Sequence, residues 1–398
     1  LVILPPVALS SGLAAAHRFL ELSESGPVNI DVTLFESSHS VGGVAATRQI
    51  GDYLVETGPD MFITNQPAAV NLCQRIGLSD ELIPTEKTHR GSLVLRNGKP
   101  VRVPEGFMLM SPAKIWPVLT SPIFSPLGKL RMGLEFFLPR RSEQTDETLA
   151  SFVRRRFGKE AFDRLIQPLV GGIYTADPEK LSLLATLRRF SEMEQTHRSL
   201  ILASRKQAAA RSSADGSGAR YGLFTAPRGG IAVLFNRLQE LVSSQATVRL
   251  GEAVTAVTQE NSGRYSVTLQ SGSIQTFDGV VLATPAYRAA DLLSGGRTAA
   301  RTSGSWAEPW DRLIELLNGI EYSSAAVVVS GHRLSDIEHP LDAFGLVIPA
   351  IEQRKVLAVS FTSRKFPGRA PEGRILLRTF VGGAMQPEIL NQPDDGVL

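Results

Sequence analysis

The sequence of 398 residues contains a single cysteine, Cys73. One thiol builds no disulfide and no cysteine-based metal centre, so a reducing, cytoplasmic location is the default. Within the helical stretch "AAVNLCQRIG", Cys73 is expected as a small buried apolar residue rather than a nucleophile. No run reaches the roughly 18 apolar residues that cross a bilayer, and no basic-then-apolar signal segment opens the chain. Net charge is also scarce. The 42 Lys and Arg against 39 Asp and Glu leave +3, which gives nucleic-acid binding no support. The six histidines are scattered without metal-ligand spacing, so no metal site is expected, and His17, His39 and His89 are read as structural or solvated. What is present is a globular balance, 43% hydrophobic and 20% charged, in a chain long enough for two or three domains.

The N-terminal stretch looks like a strand–helix–strand unit. "SGLAAAHRFLELSESG" is rich in helix formers and ends on a Ser-Gly stop, and "VNIDVTLFE" has the apolar run of a buried strand. Such a unit holds a dinucleotide when a G-x-G-x-x-G turn precedes the helix. Here only Gly12 stands in place. Val7 occupies the first glycine position, where a β-branched residue resists the tight turn. Leu9 occupies the second, where a Cβ blocks the approach of a pyrophosphate to the backbone amides. The downstream parts are intact. Glu36 ends the second strand about two dozen residues after Gly12, the spacing of a carboxylate that accepts ribose hydroxyls. Gly42 and Gly43 follow, a pair that lets a loop lie against phosphates.

Further along, "SLVLRNGKPVRV" (residues 92–103) predicts a hairpin turning at Asn97-Gly98. Residues 107–141 are apolar, broken by prolines and closed by two arginines. Residues 145–204 look helical throughout, and "RKQAAARSSADGSGARYG" (residues 205–222) reads as a loop or linker. Strands are expected in "TVRLGEAVTAVTQ", "RYSVTLQSG", "FDGVVLATPAY", "SAAVVVSGH", "FGLVIPA", "KVLAVSFTS" and "ILLRTFVGG".

The order of these parts is more specific than any one of them. "FESSHSVGGVAATRQIGDYLVETGPDMF" resembles flavoproteins of the amine-oxidase superfamily, in which the acid, the glycine pair and a Gly-Pro turn recur. "GGIYTADPEKLSLLATLRRFSEME", "APRGGIAVLFNRL", "VVLATPAY" and "FGLVIPAIEQRKVLAVSFTSRKFPGRAP" narrow the resemblance to the protoporphyrinogen oxidase family. It runs from about Ser11 to about Glu388. The family's closing segment, with a glycine-containing flavin contact, has no counterpart here, and the chain opens on Leu rather than Met. Both termini are therefore expected to be incomplete.

The resemblance implies an α/β fold, with a discontinuous Rossmann-like FAD-binding domain (residues 1–85 and 221–290), a helical inserted domain (86–220) and a mixed β-sheet substrate domain (291–398). It implies FAD as cofactor, a tetrapyrrole substrate and molecular oxygen as acceptor. The reaction implied is oxidation of protoporphyrinogen IX to protoporphyrin IX, in haem biosynthesis. Coproporphyrinogen III stays open as the rival substrate, and a remnant unable to hold FAD stays open beside the enzyme. A homodimer is left open too. Residues 107–141 resemble the family's membrane-contacting helices, with Trp116, Phe124, Phe136 and Phe137 able to sit peripherally at a headgroup boundary.

By the same resemblance, Gly12, Glu36, Gly42, Gly43, Gly58, Pro59, Val254 and Thr284 hold the cofactor, Val254 through its backbone at the adenine. No catalytic side chain is implied, because the flavin does the chemistry. Arg90 matches the arginine that meets a propionate, with Arg96 a competitor. Phe344, Gly345 and Val347 match the positions that grip the macrocycle, and Gly172 and Ala176 leave room for it.

Overall fold

The computed structural model describes residues 1–4, 9–142, 145–212, 224–300 and 307–397. The chain divides into two compact units. The first comprises Leu1–Ile50, Leu54–Ile83 and Thr225–Tyr322; the second comprises Gly51–Tyr53, Pro84–Phe224 and Ser323–Leu398.

The first unit is built on a parallel sheet of four strands, in the order Thr247–Leu250, Thr33–Glu36, Val2–Leu4 and Val280–Leu282. Register fixes which residues face which layer. Ile3 and Leu34 point into a core shared with Leu13, Ala16 and Leu20 of the helix Leu9–Ser25, and with Leu234 and Leu238 of the helix Ala232–Ser243. Their strand neighbours Val2 and Phe35 point the other way. They pack on Val257, Val267 and Leu269 of an antiparallel sheet formed by Val254–Gln259, Tyr265–Leu269 and Ile274–Phe277. The result is helix, parallel sheet and antiparallel sheet in layers, with the strands predicted from alternation present in sequence order. Residues 291–322 also fall in this unit. Cys73 is fully buried in the helix Pro67–Arg75, and that burial raises its thiol pKa, as an inert core residue requires.

The second unit joins a mixed sheet to a helical layer. Strand order is Ala325–Arg333, Arg374–Gly382, Val356–Phe361, Gly345–Val347, Leu93–Arg96 and Lys99–Arg102. All neighbours are antiparallel except Gly345–Val347 beside Leu93–Arg96. The predicted hairpin forms, with Asn97 (φ 49°) and Gly98 (φ 74°) both left-handed as its two-residue turn demands. Its N–H groups donate to the Glu352 carboxylate at 2.7 and 3.1 Å. The hairpin therefore extends the C-terminal sheet, although it precedes the helices in sequence.

Helices fill most of residues 145–204, including Leu149–Phe157, Gln167–Tyr174 and Leu183–His197. They are interrupted at Thr175, whose left-handed backbone (φ 48°) ends the second of these. Two expectations are corrected. The helix Leu200–Ser212 continues through "RKQAAARS", read from sequence as loop, because Lys, Gln, Ala and Arg favour helix intrinsically; residues 213–222 of that stretch lie outside the described residues. Phe124 is buried in the helical core, so it does not face outward, and Phe136 is partly buried against that core. Trp116 and Phe137 are exposed as expected, together with Leu119, Leu127, Leu130 and Leu134.

Candidate cofactor and substrate sites

In open α/β sheets, ligands bind beyond the carboxyl ends of the strands, where strand order reverses. In the first unit this edge lies at Leu4, Glu36, Leu250 and Leu282, aligned by the pairs Leu4–Leu282 and Glu36–Leu250. Glu36 is 1% exposed. One of its carboxylate oxygens, Oε1, accepts the Ser38 N–H at 2.7 Å and the Ser37 hydroxyl at 3.2 Å. The other, Oε2, is buried with no hydrogen-bond partner. A buried carboxylate oxygen left empty is costly, unless a ligand donor completes it.

The backbone that follows the Leu250 strand end packs against this acid. The Glu252 N–H donates to the Glu36 carbonyl (3.0 Å) and the Gly251 N–H to the Ser38 carbonyl (2.9 Å), which places the strand beginning at Val254 alongside. Gly42 (φ 93°) and Gly43 (φ 58°) both adopt the left-handed backbone that glycine tolerates. Gly58 lies hard against their loop: a Cβ there would stand 2.0 Å from the Val44 carbonyl oxygen. Thr57 fastens the same contact, its N–H donating to the Ala46 carbonyl at 2.9 Å. Pro59 follows this turn, and Thr284 leaves the sheet just past the Leu282 strand end. Gly12 is buried in the first helix. Leu9 begins that helix, whereas Val7 lies outside the described residues.

Sequence reasoning missed Glu56. It is fully buried, and its carboxylate accepts the Ile231 N–H (3.0 Å) and the Thr47 hydroxyl (2.7 Å). The acid thereby binds the Gly58 turn to the start of the helix Ala232–Ser243, where the unpaired N–H groups favour a negative charge. A buried carboxylate two residues before Gly-Pro was the available signal.

Among the described residues, no group of three or more His, Cys, Asp or Glu is placed to hold a metal ion. FAD is a different matter, because an acid with a vacant buried oxygen at the strand edge and the Gly42-Gly43 turn fit its ribose and diphosphate, and among the described residues only Leu9, at the start of the first helix, keeps a Cβ where the pyrophosphate turn calls for glycine.

In the second unit, the substrate candidates fall in two groups. The Phe344 N–H donates to the Gly91 carbonyl at 2.9 Å, which sets Arg90 beside Phe344 and Gly345. Val347 meets the other group. A Cβ at Gly172 would lie 3.4 Å from Val347 Cγ1 and 3.6 Å from Ala358 Cβ, so the helix Gln167–Tyr174 runs directly over the strand. The Gln167 side-chain Oε1 fixes that approach by accepting the Ala350 N–H at 3.0 Å. Ala176 is half-buried just past Thr175, whose carbonyl accepts the Ala384 N–H at 2.8 Å. Arg96 lies in the next strand over, in the hairpin.

The fold and the Glu36 edge define a flavoprotein oxidoreductase. The profile described as flavin containing amine oxidoreductase matches residues 10–398, and the chain belongs to that family, whose cofactor is FAD. Among individual proteins, it is similar to the coproporphyrinogen III oxidase of Bacillus subtilis (strain 168), with 30% identity over 98% of this chain and 78% of that protein. It is similar also to the chloroplastic protoporphyrinogen oxidase of Nicotiana tabacum, with 29% identity over 98% of this chain and 70% of that one. The crystal structure of a protein from Exiguobacterium sp. 255-15 shares the fold at TM-score 0.80 and 23% identity, covering all of this chain and 80% of that one.

Proposed function

We propose that this chain oxidises a porphyrinogen to the corresponding porphyrin, using FAD and molecular oxygen. The observation that carries the reading is the vacant, buried Oε2 of Glu36 at the strand edge, in a chain whose similarity to porphyrinogen oxidases spans nearly its whole length. When bound, FAD supplies hydride acceptance from a meso carbon and return of the electron pair to oxygen. Removal of six hydrogens takes three such turnovers and leaves three molecules of hydrogen peroxide.

The protein's part is to bind and orient. Glu36 accepts the ribose hydroxyls. The loop of Gly42 and Gly43, held by Gly58 and Pro59, admits the diphosphate, with Gly12, Val254 and Thr284 completing the cofactor contacts. Phe344 and Val347 offer an aromatic and an aliphatic surface to the macrocycle and Ala176 leaves it room, whereas Gly172 and Gly345 serve close packing, since a Cβ there would meet Val347 at 3.4 Å and the Val359 carbonyl oxygen at 2.5 Å. Arg90 presents its guanidinium fork to a propionate. Sequence alone favours protoporphyrinogen IX. Three relatives with 29–30% identity that are named coproporphyrinogen III oxidase, one of them from Staphylococcus aureus, favour coproporphyrinogen III. The test is aerobic turnover of the FAD-loaded chain with each porphyrinogen, followed by porphyrin fluorescence. Faster appearance of one porphyrin names the substrate. Protein that stays colourless after added FAD contradicts the reading.

The same reading extends to a lipid surface. No helix among the described residues is long and apolar enough to cross a membrane. Trp116 and Phe137, 74% and 78% exposed, and the exposed Leu119, Leu127, Leu130 and Leu134 share one stretch of sequence with Lys114, Lys129 and Arg140, the composition of an apolar surface with basic flanks. Wild-type protein is expected to float with vesicles containing anionic phospholipid, and Trp116→Glu with Leu127→Glu to abolish flotation. Equal flotation of both proteins would remove the lipid contact.

A further inference from the structure

Three segments of the second unit meet beside Phe344. Phe344 donates to the Gly91 carbonyl, and its own carbonyl accepts the Phe361 N–H, each at 2.9 Å. Arg90 immediately precedes the first junction. Arg364, in the short helix Thr362–Lys365, follows the second. Arg364 Nη1 lies 3.3 Å from His89 Nε2, and Nη2 donates to the Pro340 carbonyl at 3.3 Å. Both contacts are long and neither is to an anion.

The Nε atoms of Arg90 and Arg364 are buried and have no hydrogen-bond partner. The acids nearby are already engaged. Asp342 pairs with Arg102 at 2.6 Å, and that pairing outweighs partial burial to hold its carboxyl below the usual range. Glu86 accepts the N–H groups of Lys87 and Thr88, at 2.7 and 3.4 Å. Two guanidinium groups with buried, unmet Nε donors therefore belong to the segments hydrogen-bonded to Phe344, and among the described residues neither forms an ion pair. Such a pair is expensive to maintain without an external acid, and the planar fork of arginine matches a carboxylate best.

We propose that Arg364, held against His89, is a second carboxylate-binding residue, forming with Arg90 a receptor for an adjacent pair of carboxylates on the substrate. This rests on the porphyrinogen reading and deepens it. Protoporphyrinogen IX and coproporphyrinogen III both carry propionates on neighbouring pyrroles, so the receptor fixes which edge of the ring lies by Phe344.

The test uses FAD-loaded protein titrated with protoporphyrin IX and coproporphyrin III, each as the free acid and as the methyl ester. Wild type is expected to prefer acid over ester by about tenfold or more, the scale of a charge-assisted hydrogen bond. Arg364→Gln is expected to lose about tenfold in affinity for the acids and nothing for the esters, with Arg364→Lys between. Unchanged acid binding by Arg364→Gln, or equal losses for acid and ester, would overturn the proposal while leaving the porphyrinogen reading intact. Wild type that does not distinguish acid from ester overturns it without any variant. Wild type that binds none of the four overturns both.

Discussion

Glu36→Ala is expected to raise the Kd for FAD about a hundredfold, measured by titrating apoprotein and following quenching of flavin fluorescence. On the proposed reading the change removes a buried carboxylate that accepts two ribose hydroxyls, and a hundredfold is about 2.8 kcal/mol, near the lower bound for two charge-assisted bonds of about 1.5 to 3 kcal/mol each. Glu36→Gln keeps the shape and one acceptor, and is expected to lose roughly tenfold. The apoprotein provides an opposite sign. Glu36 Oε2 has no partner within the protein, so neutralising it in Glu36→Gln should leave apoprotein stability unchanged or higher. A residue that merely holds the loop through Ser37 and Ser38 would show a loss in both measurements.

The second large effect lies in the second unit. Glu135 and Arg156 are both completely buried in the helical layer and form a salt bridge. Glu135 also accepts the Ser199 hydroxyl (2.6 Å) and the N–H groups of Leu200 (2.8 Å) and Ile201 (3.3 Å), so one carboxylate caps the helix Leu200–Ser212 and neutralises an arginine from the helix Leu149–Phe157. Glu135→Ala is expected to cost about 3 to 5 kcal/mol, because it removes the nearer of two buried carboxylates from Arg156 and leaves only Glu194, 3.5 Å away. The direct reading is hydrogen exchange at Leu200 and Ile201, whose amides lose their acceptor, supported by a lower urea midpoint. Glu135→Leu with Arg156→Met removes both charges and is expected to recover most of the loss. Protection at these amides as strong as in wild type would contradict the assignment.

Nearby Glu194 receives two hydrogen bonds from Arg155, at 2.7 and 2.9 Å. Burial alone would raise its pKa, but these bonds and the charges of Arg155 and Arg156 outweigh it and hold the carboxyl below its usual range. Its contribution is therefore complete above the unfolded carboxylate pKa and disappears as pH falls through the lowered folded value.

What could be read in the sequence was local. Glu36, the glycine pair and Asn97-Gly98 announce themselves by spacing and by the backbone angles that only certain residues adopt. The C-terminal strands show in apolar alternation. Partnerships between distant segments carried no such mark. Nothing around Glu135 indicates that it caps a helix starting at Leu200, and nothing near Phe124 says which way its ring turns. The hairpin was legible as a hairpin, but not as the edge of a sheet whose other strands begin more than two hundred residues later. Arg90 was found by resemblance. Arg364 became visible only when the Gly91–Phe344–Phe361 hydrogen bonds brought the two arginines to one edge of the sheet.

The most direct measurement is an anaerobic mixture of the FAD-loaded chain with one equivalent of porphyrinogen. The flavin absorbance should bleach on mixing, and admitting air should restore it as porphyrin fluorescence grows. Flavin that keeps its oxidised spectrum with both porphyrinogens, while remaining bound to the protein, would contradict the account.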